Sequence, residues 1–225
     1  MKVFQRYAVY YTPSGALAEV GGAWLGWDIA RGAVVSQPEI DGLDVAKLTR
    51  TPRKYGLHGT IKPPFFLAGG TTIEGLAEAA QVFCKEVAPV RLEALEVQAL
   101  AGFVALIPTG YQSALSALAA QTVDALDAFR APPSHEELAR RRRANLTPAQ
   151  EKNLTDWGYP YVMDEFRFHI TLTGRIKGDM SPVVAALRAH ITPHLDAPYD
   201  INSLTLVGED SEGMFHEIKR FSLAG

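Results

Sequence analysis

The sequence predicts an α+β chain made of two similar halves with a helical section between them. Three observations carry that expectation. A strand-like stretch recurs, YGLHGTIK at 55–62 and FRFHITLT at 166–173, with aromatic, His-x-Thr and aliphatic positions matched. Segments of strand period and of helix period succeed one another around each copy. No low-complexity run or linker divides the 225 residues, so a single bilobal unit over 1–225 is expected, with its helical section at about 111–160.

The elements follow in order. VFQRYAVYYTP is rich in aromatic and β-branched residues and stops at Thr12-Pro13, which predicts a strand. Ser14 can cap a helix through GALAEVGGAWLGWDIA, weakened by Gly21-Gly22. A short helix is expected at 44–50, then the first repeat, closed by Lys62-Pro63-Pro64. Residues 72–87 have helical spacing. VRLEALEVQAL and AGFVALIPTG predict two strands meeting at Ala101-Gly102. YQSALSALAAQTVDALDAFR is an amphipathic helix that ends before Pro132-Pro133. SHEE fits a capping box and Thr147-Pro148 a capped first turn, so two short helices precede the second repeat. SPVVAALRAHITPHL is helical, and INSLTLVGED with GMFHEIKRFSL predicts a closing hairpin.

Composition excludes some classes of function. A net charge of −3 supplies no general field for nucleic acid, so any anion site must be local. The single cysteine, Cys84, allows no internal disulfide and sits in an apolar helical stretch, as a small buried side chain would. No apolar run approaches the roughly 20 residues of a membrane span. The expectation is a cytoplasmic protein with no membrane partner.

The repeat has a physical reading. In a strand, residues i and i+2 lie on one face, about 7 Å apart. His169, Thr171, Thr173 and Arg167 then share one face, with Phe168, Ile170 and Leu172 behind them. In the first copy His58, Thr60 and Lys62 share a face, with Leu57, Gly59 and Ile61 behind. A hydroxyl can donate to a phosphoryl oxygen, a basic side chain balances charge, and imidazole transfers protons near neutral pH. Two such fronts across a cleft can activate water on one side and protonate a leaving oxygen on the other.

With His58-Gly59-Thr60 and His169-Ile170-Thr171, the chain resembles the two-histidine (2H) phosphoesterase superfamily. RYAVYYTP, YGLHGTIKPPF and FRFHITLTGR are similar, more narrowly, to its branch found with bacterial phosphonate-utilisation genes. The resemblance spans essentially the whole chain. It implies a bilobal fold of two antiparallel sheets related by a pseudo-two-fold about a cleft, with helices outside. It also implies hydrolysis of cyclic or 2′,5′-type phosphodiesters without metal or cofactor, with His58 and His169 catalytic and Thr60 and Thr171 beside them. For the phosphonate branch the implied substrate is a small cyclic ribose phosphate such as 5-phosphoribosyl 1,2-cyclic phosphate.

Further candidates are weaker. Alternation puts Tyr7 and Tyr11 on one face and Tyr10 on the other; Tyr7 is taken as the candidate for the cleft, with core packing as the competing role. Lys62 and Arg167 are candidate phosphate contacts by their shared face with the histidines. The arginines at 140–143 point all round a helix, so most are solvated; Arg143 is the candidate to reach a terminal phosphate. His190 and His194 stand four apart, but Pro193 between them and the lack of an accompanying Glu make a helix-end surface pair the better reading. A small phosphate ester is the expected partner. RNA-end processing or ligation and non-catalytic binding of a phosphorylated nucleotide are the alternatives. Which histidine is base and which acid stays open.

Overall fold

The structure is a computed structural model and describes residues 3–225. In chain order, β1 (Arg6–Tyr11) is followed by α1 (Gly15–Leu25), β2 (Trp27–Asp28), β3 (Ala33–Val34) and α2 (Val45–Thr49). Then come β4 (Gly59–Phe65), α3 (Ile73–Glu86), β5 (Val90–Leu92), β6 (Leu95–Leu100) and β7 (Phe103–Pro108). The helical section holds α4 (Ser113–Ala125), α5 (His135–Arg142) and α6 (Pro148–Trp157). After it lie β8 (Ile170–Thr171), α7 (Ser181–Ile191), β9 (Tyr199–Ile201), β10 (Ser203–Glu209) and β11 (Phe215–Ser222).

The α+β class is as the sequence predicts. Seven antiparallel strands run in the order β11-β10-β1-β4-β8-β7-β6, with β2–β3 and β5–β9 as separate ribbons. The long array is two smaller ones placed edge to edge. β4 and β8 meet at a single backbone pair, Gly59 with Ile170. On one side of that seam stand β11, β10, β1 and β4; on the other, β8, β7 and β6. Each side therefore carries one His-x-Thr copy, but the sides are not the two halves of the sequence. The first copy lies beside the C-terminal hairpin, and the second beside β6 and β7 from the middle of the chain.

Strand alternation sets the layers. Tyr7, Val9 and Tyr11 of β1, Val104 and Leu106 of β7, and Leu204 and Leu206 of β10 all enter one buried cluster. Leu17, Trp24 and Leu25 of α1, Leu76 and Cys84 of α3, Leu115 and Leu118 of α4, and Val183 and Leu187 of α7 cover it. Burying each large aliphatic or aromatic side chain there contributes about 1.5–3 kcal/mol. The Cys84 thiol is buried in this layer, which pushes its pKa up to about 11. A smaller cluster, Ala8, Tyr10, Trp27, Ile29, Val207 and Phe215, lies on the opposite face of the sheet. His58 stacks on Tyr10 of this second cluster.

Several elements differ from the sequence expectation for identifiable reasons. α1 tolerates Gly21 because the Leu57 side chain packs where a Cβ would sit. The helix stops at Gly26, in left-handed conformation. β4 runs through Pro63 and Pro64 because β8 reaches only to Gly59 and leaves that edge without a ladder partner. The stretch 90–100 breaks into β5, paired with β9, and β6, paired with β7. Only two residues of the second repeat form ladder strand, since Phe166 leaves a 3₁₀ turn and the next residues rise toward Ile170.

Candidate active site

The site forms where the two repeats meet. Gly59 pairs with Ile170, and continuing that antiparallel register by one residue each way would align Thr60 with His169 and His58 with Thr171. Residues opposite one another in an antiparallel pair share a face. Gly59 and Ile170 are buried behind, while His58, Thr60, His169 and Thr171 are all half-buried in front. Two histidines and two hydroxyls thus gather at the seam.

Packing between the copies explains their different middle residues. The Phe168 ring lies across Gly59, where a Cβ would stand 2.3 Å from its ring carbons. A side chain there would push the second repeat away from the first. Gly59 is therefore required by close approach, and Ile170 fills the corresponding place on the other strand.

Each imidazole is oriented by a main-chain carbonyl two residues upstream. His58 Nδ1 lies 3.0 Å from the Gly56 oxygen, and His169 Nδ1 lies 2.9 Å from the Arg167 oxygen. A carbonyl can only accept, so in both rings Nδ1 carries the proton and Nε2 presents the reactive nitrogen. Gly56 offers its oxygen from a left-handed φ of 66°, closing a 3₁₀ turn over Pro52–Tyr55. The Thr60 hydroxyl is 3.1 Å from His58 Nε2. The Tyr10 ring stacks on His58 at 3.9 Å and 26°, with Tyr55 at 5.9 Å and Phe215 against both tyrosines. Burial pushes the His58 imidazole down to about 4; the Gly56 carbonyl opposes that shift, and nearby His169 adds to it. On the other strand Phe103 lies 5.7 Å from the His169 ring. Imidazole pairs with adjacent hydroxyls can move protons and bind an anionic oxygen.

The remaining sequence candidates fall elsewhere. Tyr7 is buried in the helix-covered cluster, so Tyr10 is the tyrosine on the site face. Alternation had separated these two correctly, but only the pairing of Tyr10 with Thr60 identifies the face that matters. Lys62 is 1% exposed; its Nζ donates to the Val123 oxygen at 2.9 Å and to Asp127 at 3.1 Å. The register between β1 and β4 slips between Thr60 and Lys62, so Ile61 and Lys62 both turn toward α4. Lys62 is therefore a packing residue, and burial pulls its pKa down to about 8 against the opposing field of Asp127. The Arg167 guanidinium folds back on the Asp164 and Phe166 oxygens, and only its main chain serves the site.

Arg143 ends α5 exposed on the surface. Its neighbour Arg141 turns inward instead, with Cζ 4.5 Å over the Tyr159 ring. Tyr159 escaped the sequence reading because it lies on a loop outside both repeats, whereas Arg141 belongs to the basic run from which Arg143 was the sequence candidate, and Tyr55 opens the first repeat. Arg6 also lies near Tyr10 and Tyr55, neutralised by two contacts to Glu209, one of 2.7 Å from Nη2. His190 and His194 end α7 and the 3₁₀ turn after it, and Pro193 stands between them. Among the described residues, no three His, Cys, Asp or Glu side chains are grouped to hold a metal ion, and no helix is long and apolar enough to cross a membrane.

Comparison with known proteins places this geometry among relatives. A family model described as "Protein of unknown function (DUF1045)" matches residues 60–216. The chain is 36% identical over 231 residues to "Ribose 1,5-bisphosphate phosphokinase PhnN" of Janthinobacterium sp. (strain Marseille), covering 98% of this chain and 51% of that protein. It is 32% identical over 218 residues to the protein of the same name in Laribacter hongkongensis (strain HLHK9), covering 92% and 49%. The chain thus spans about half the length of these curated relatives. Among solved structures, Escherichia coli LigT complexed with 3′-AMP aligns over 99% of this chain and 100% of its own, at 14% identity and a TM-score of 0.45.

Proposed function

We propose that this chain, which belongs to the DUF1045 family, hydrolyses a cyclic phosphodiester by two-histidine acid–base catalysis without a metal. The observation that carries this reading is the seam at Gly59 and Ile170, which brings the two His-x-Thr copies side by side with their half-buried imidazoles and hydroxyls. His58 is the base. It is neutral at neutral pH, and its unprotonated Nε2, beside the Thr60 hydroxyl, is the nitrogen that takes the proton. It removes a proton from water as the water oxygen bonds to phosphorus. The ester bond from phosphorus to one ribose oxygen breaks, and His169 Nε2 gives that oxygen its proton. Thr60 and Thr171 donate to the non-bridging oxygens as charge builds on them. Proton exchange with solvent then returns His58 to neutral and His169 to its charged form.

The substrate we favour is 5-phosphoribosyl 1,2-cyclic phosphate. Opening its ring at the 2-oxygen yields ribose 1,5-bisphosphate, the compound in the name of the curated relatives. This chain has no Gly-x-x-x-x-Gly-Lys-Ser/Thr loop to cradle nucleotide phosphates, so we assign the named phosphokinase step to the other half of those relatives. A place beside phosphonate breakdown, implied by the sequence resemblance, fits this order of reactions.

The test is turnover of that sugar phosphate and of a 2′,3′-cyclic oligoribonucleotide by the purified protein. His58→Ala and His169→Ala should each lower kcat by about 10²–10⁴-fold with the fold intact, while chelators change nothing. Activity that survives both substitutions and dies with chelator refutes the mechanism. Preference for the oligonucleotide refutes the substrate.

A further inference from the structure

We infer that Arg141 is the specificity-determining residue that recognises a second phosphate on the substrate, an inference that rests on the phosphodiesterase reading above. α5 has no buried residue and, with its C-terminal cap Arg143, carries four arginines at 140–143 against Glu136 and Glu137. It is thus a cationic element in a chain whose net charge is −3. Three of its arginines face water: the side chain of Arg140 is 63% exposed, that of Arg142 is 50% exposed and paired with Glu151, and Arg143 is exposed. Only Arg141 is drawn in, at 15%.

Its guanidinium carbon stands 4.5 Å from the centre of the Tyr159 ring, a residue that follows the left-handed Gly158 ending α6. Tyr159 in turn feels the electrostatic influence of Tyr55 and acts on Tyr10, and both of those rings touch His58. Tyr159 and the Arg141 guanidinium over it therefore stand within electrostatic reach of the aromatic surround of the proposed base.

The pairing of Arg141 suits an exchange of anions. Its Nη2 bonds Glu137 Oε1 at 2.6 Å, and the same carboxylate is 3.6 Å from Arg140. One monoanion shared by two cations leaves net positive charge. A phosphate dianion can displace the carboxylate while the contact with Tyr159 holds the guanidinium in place for bidentate bonding. With the cyclic phosphate over the seam, Arg141 is the nearby cation proposed to meet the opposite end of a short sugar phosphate.

The experiment compares binding of ribose 5-phosphate and ribose, and turnover of ribose 1,2-cyclic phosphate with and without the 5-phosphate. Arg141→Gln should weaken ribose 5-phosphate roughly tenfold or more, by the loss of a charged hydrogen bond, and raise KM only for the 5-phosphorylated ester. Arg141→Lys should recover part of the loss, and Glu137→Gln should tighten binding. Arg143→Gln should match the native protein. The assignment is overturned if Arg141→Gln binds ribose 5-phosphate normally, if it affects both esters equally, or if the native protein does not distinguish ribose 5-phosphate from ribose. Arg141-dependent binding without turnover of either ester would leave this subsite standing and overturn the hydrolysis reading alone.

Discussion

At His58, the Tyr10 ring and the surrounding wall remove water from the imidazole, and removal of water penalises the charged form. A base with a pKa near 4 is free to accept a proton at any neutral pH, but it is weak until the substrate arrives. The anionic phosphodiester then supplies the charge that favours imidazolium, so binding raises the pKa of this ring. The acid limb of kcat/KM, which follows the free enzyme, should fall near 4, and the acid limb of kcat should lie at higher pH. Coincident limbs near 6.5 in both profiles would contradict the assignment of His58 as base. The same shift has a stability consequence. Between about 6.5 and 4 the unfolded chain takes up a proton at this position that the folded chain refuses, so stability falls as pH drops through that window. Melting temperatures of His58→Asn should decline less over that interval than those of the native protein.

At the scale of elements, the bulge in β4 decides which side chains serve chemistry. Thr60 stays on the site face, while one slip of register later Ile61 and Lys62 both turn to α4. Lys62 then ties β4 to the last turn of α4 and to Asp127, which keeps its second partner Arg130. Lys62→Met should therefore leave KM unchanged and lower unfolding stability by about 1–3 kcal/mol, the cost of a buried carbonyl left without its donor. A large rise in KM would restore Lys62 to the phosphate site.

The same element shows what the amino-acid sequence could tell. Alternation around His58 and His169 is local, and it placed His58, Thr60, His169 and Thr171 in front of an apolar back, but Thr173, expected on the same face, is buried and accepts from the Val104 N–H at 2.9 Å. A bulge depends on the pairing partner, and choosing Tyr10 over Tyr7 needs the register between β1 and β4. Arg141 needed more still, since its position follows from the docking of α5 beside Tyr159. Long-range register and helix placement leave no periodic trace in the chain.

For the whole molecule, the order β11-β10-β1-β4-β8-β7-β6 interleaves the chain. The first repeat needs the C-terminal hairpin as its neighbour, and the second needs β6 and β7. Fragments 1–145 and 146–225, each holding one repeat, should fail to fold separately and should recover ordered structure only when combined. A well-dispersed NMR spectrum from either fragment alone would contradict this.

The seam itself has a dynamic consequence. Between β4 and β8 the only paired positions are Gly59 and Ile170, whereas β10 with β11 and β6 with β7 are joined along most of their length. The ladder that aligns the two His-x-Thr copies is thus the thinnest in the sheet. In mild urea it can part as a sub-global opening while both flanking ladders persist. Enzymatic activity would then vanish before the circular-dichroism signal does, making catalysis a gauge of alignment between two still-folded bodies.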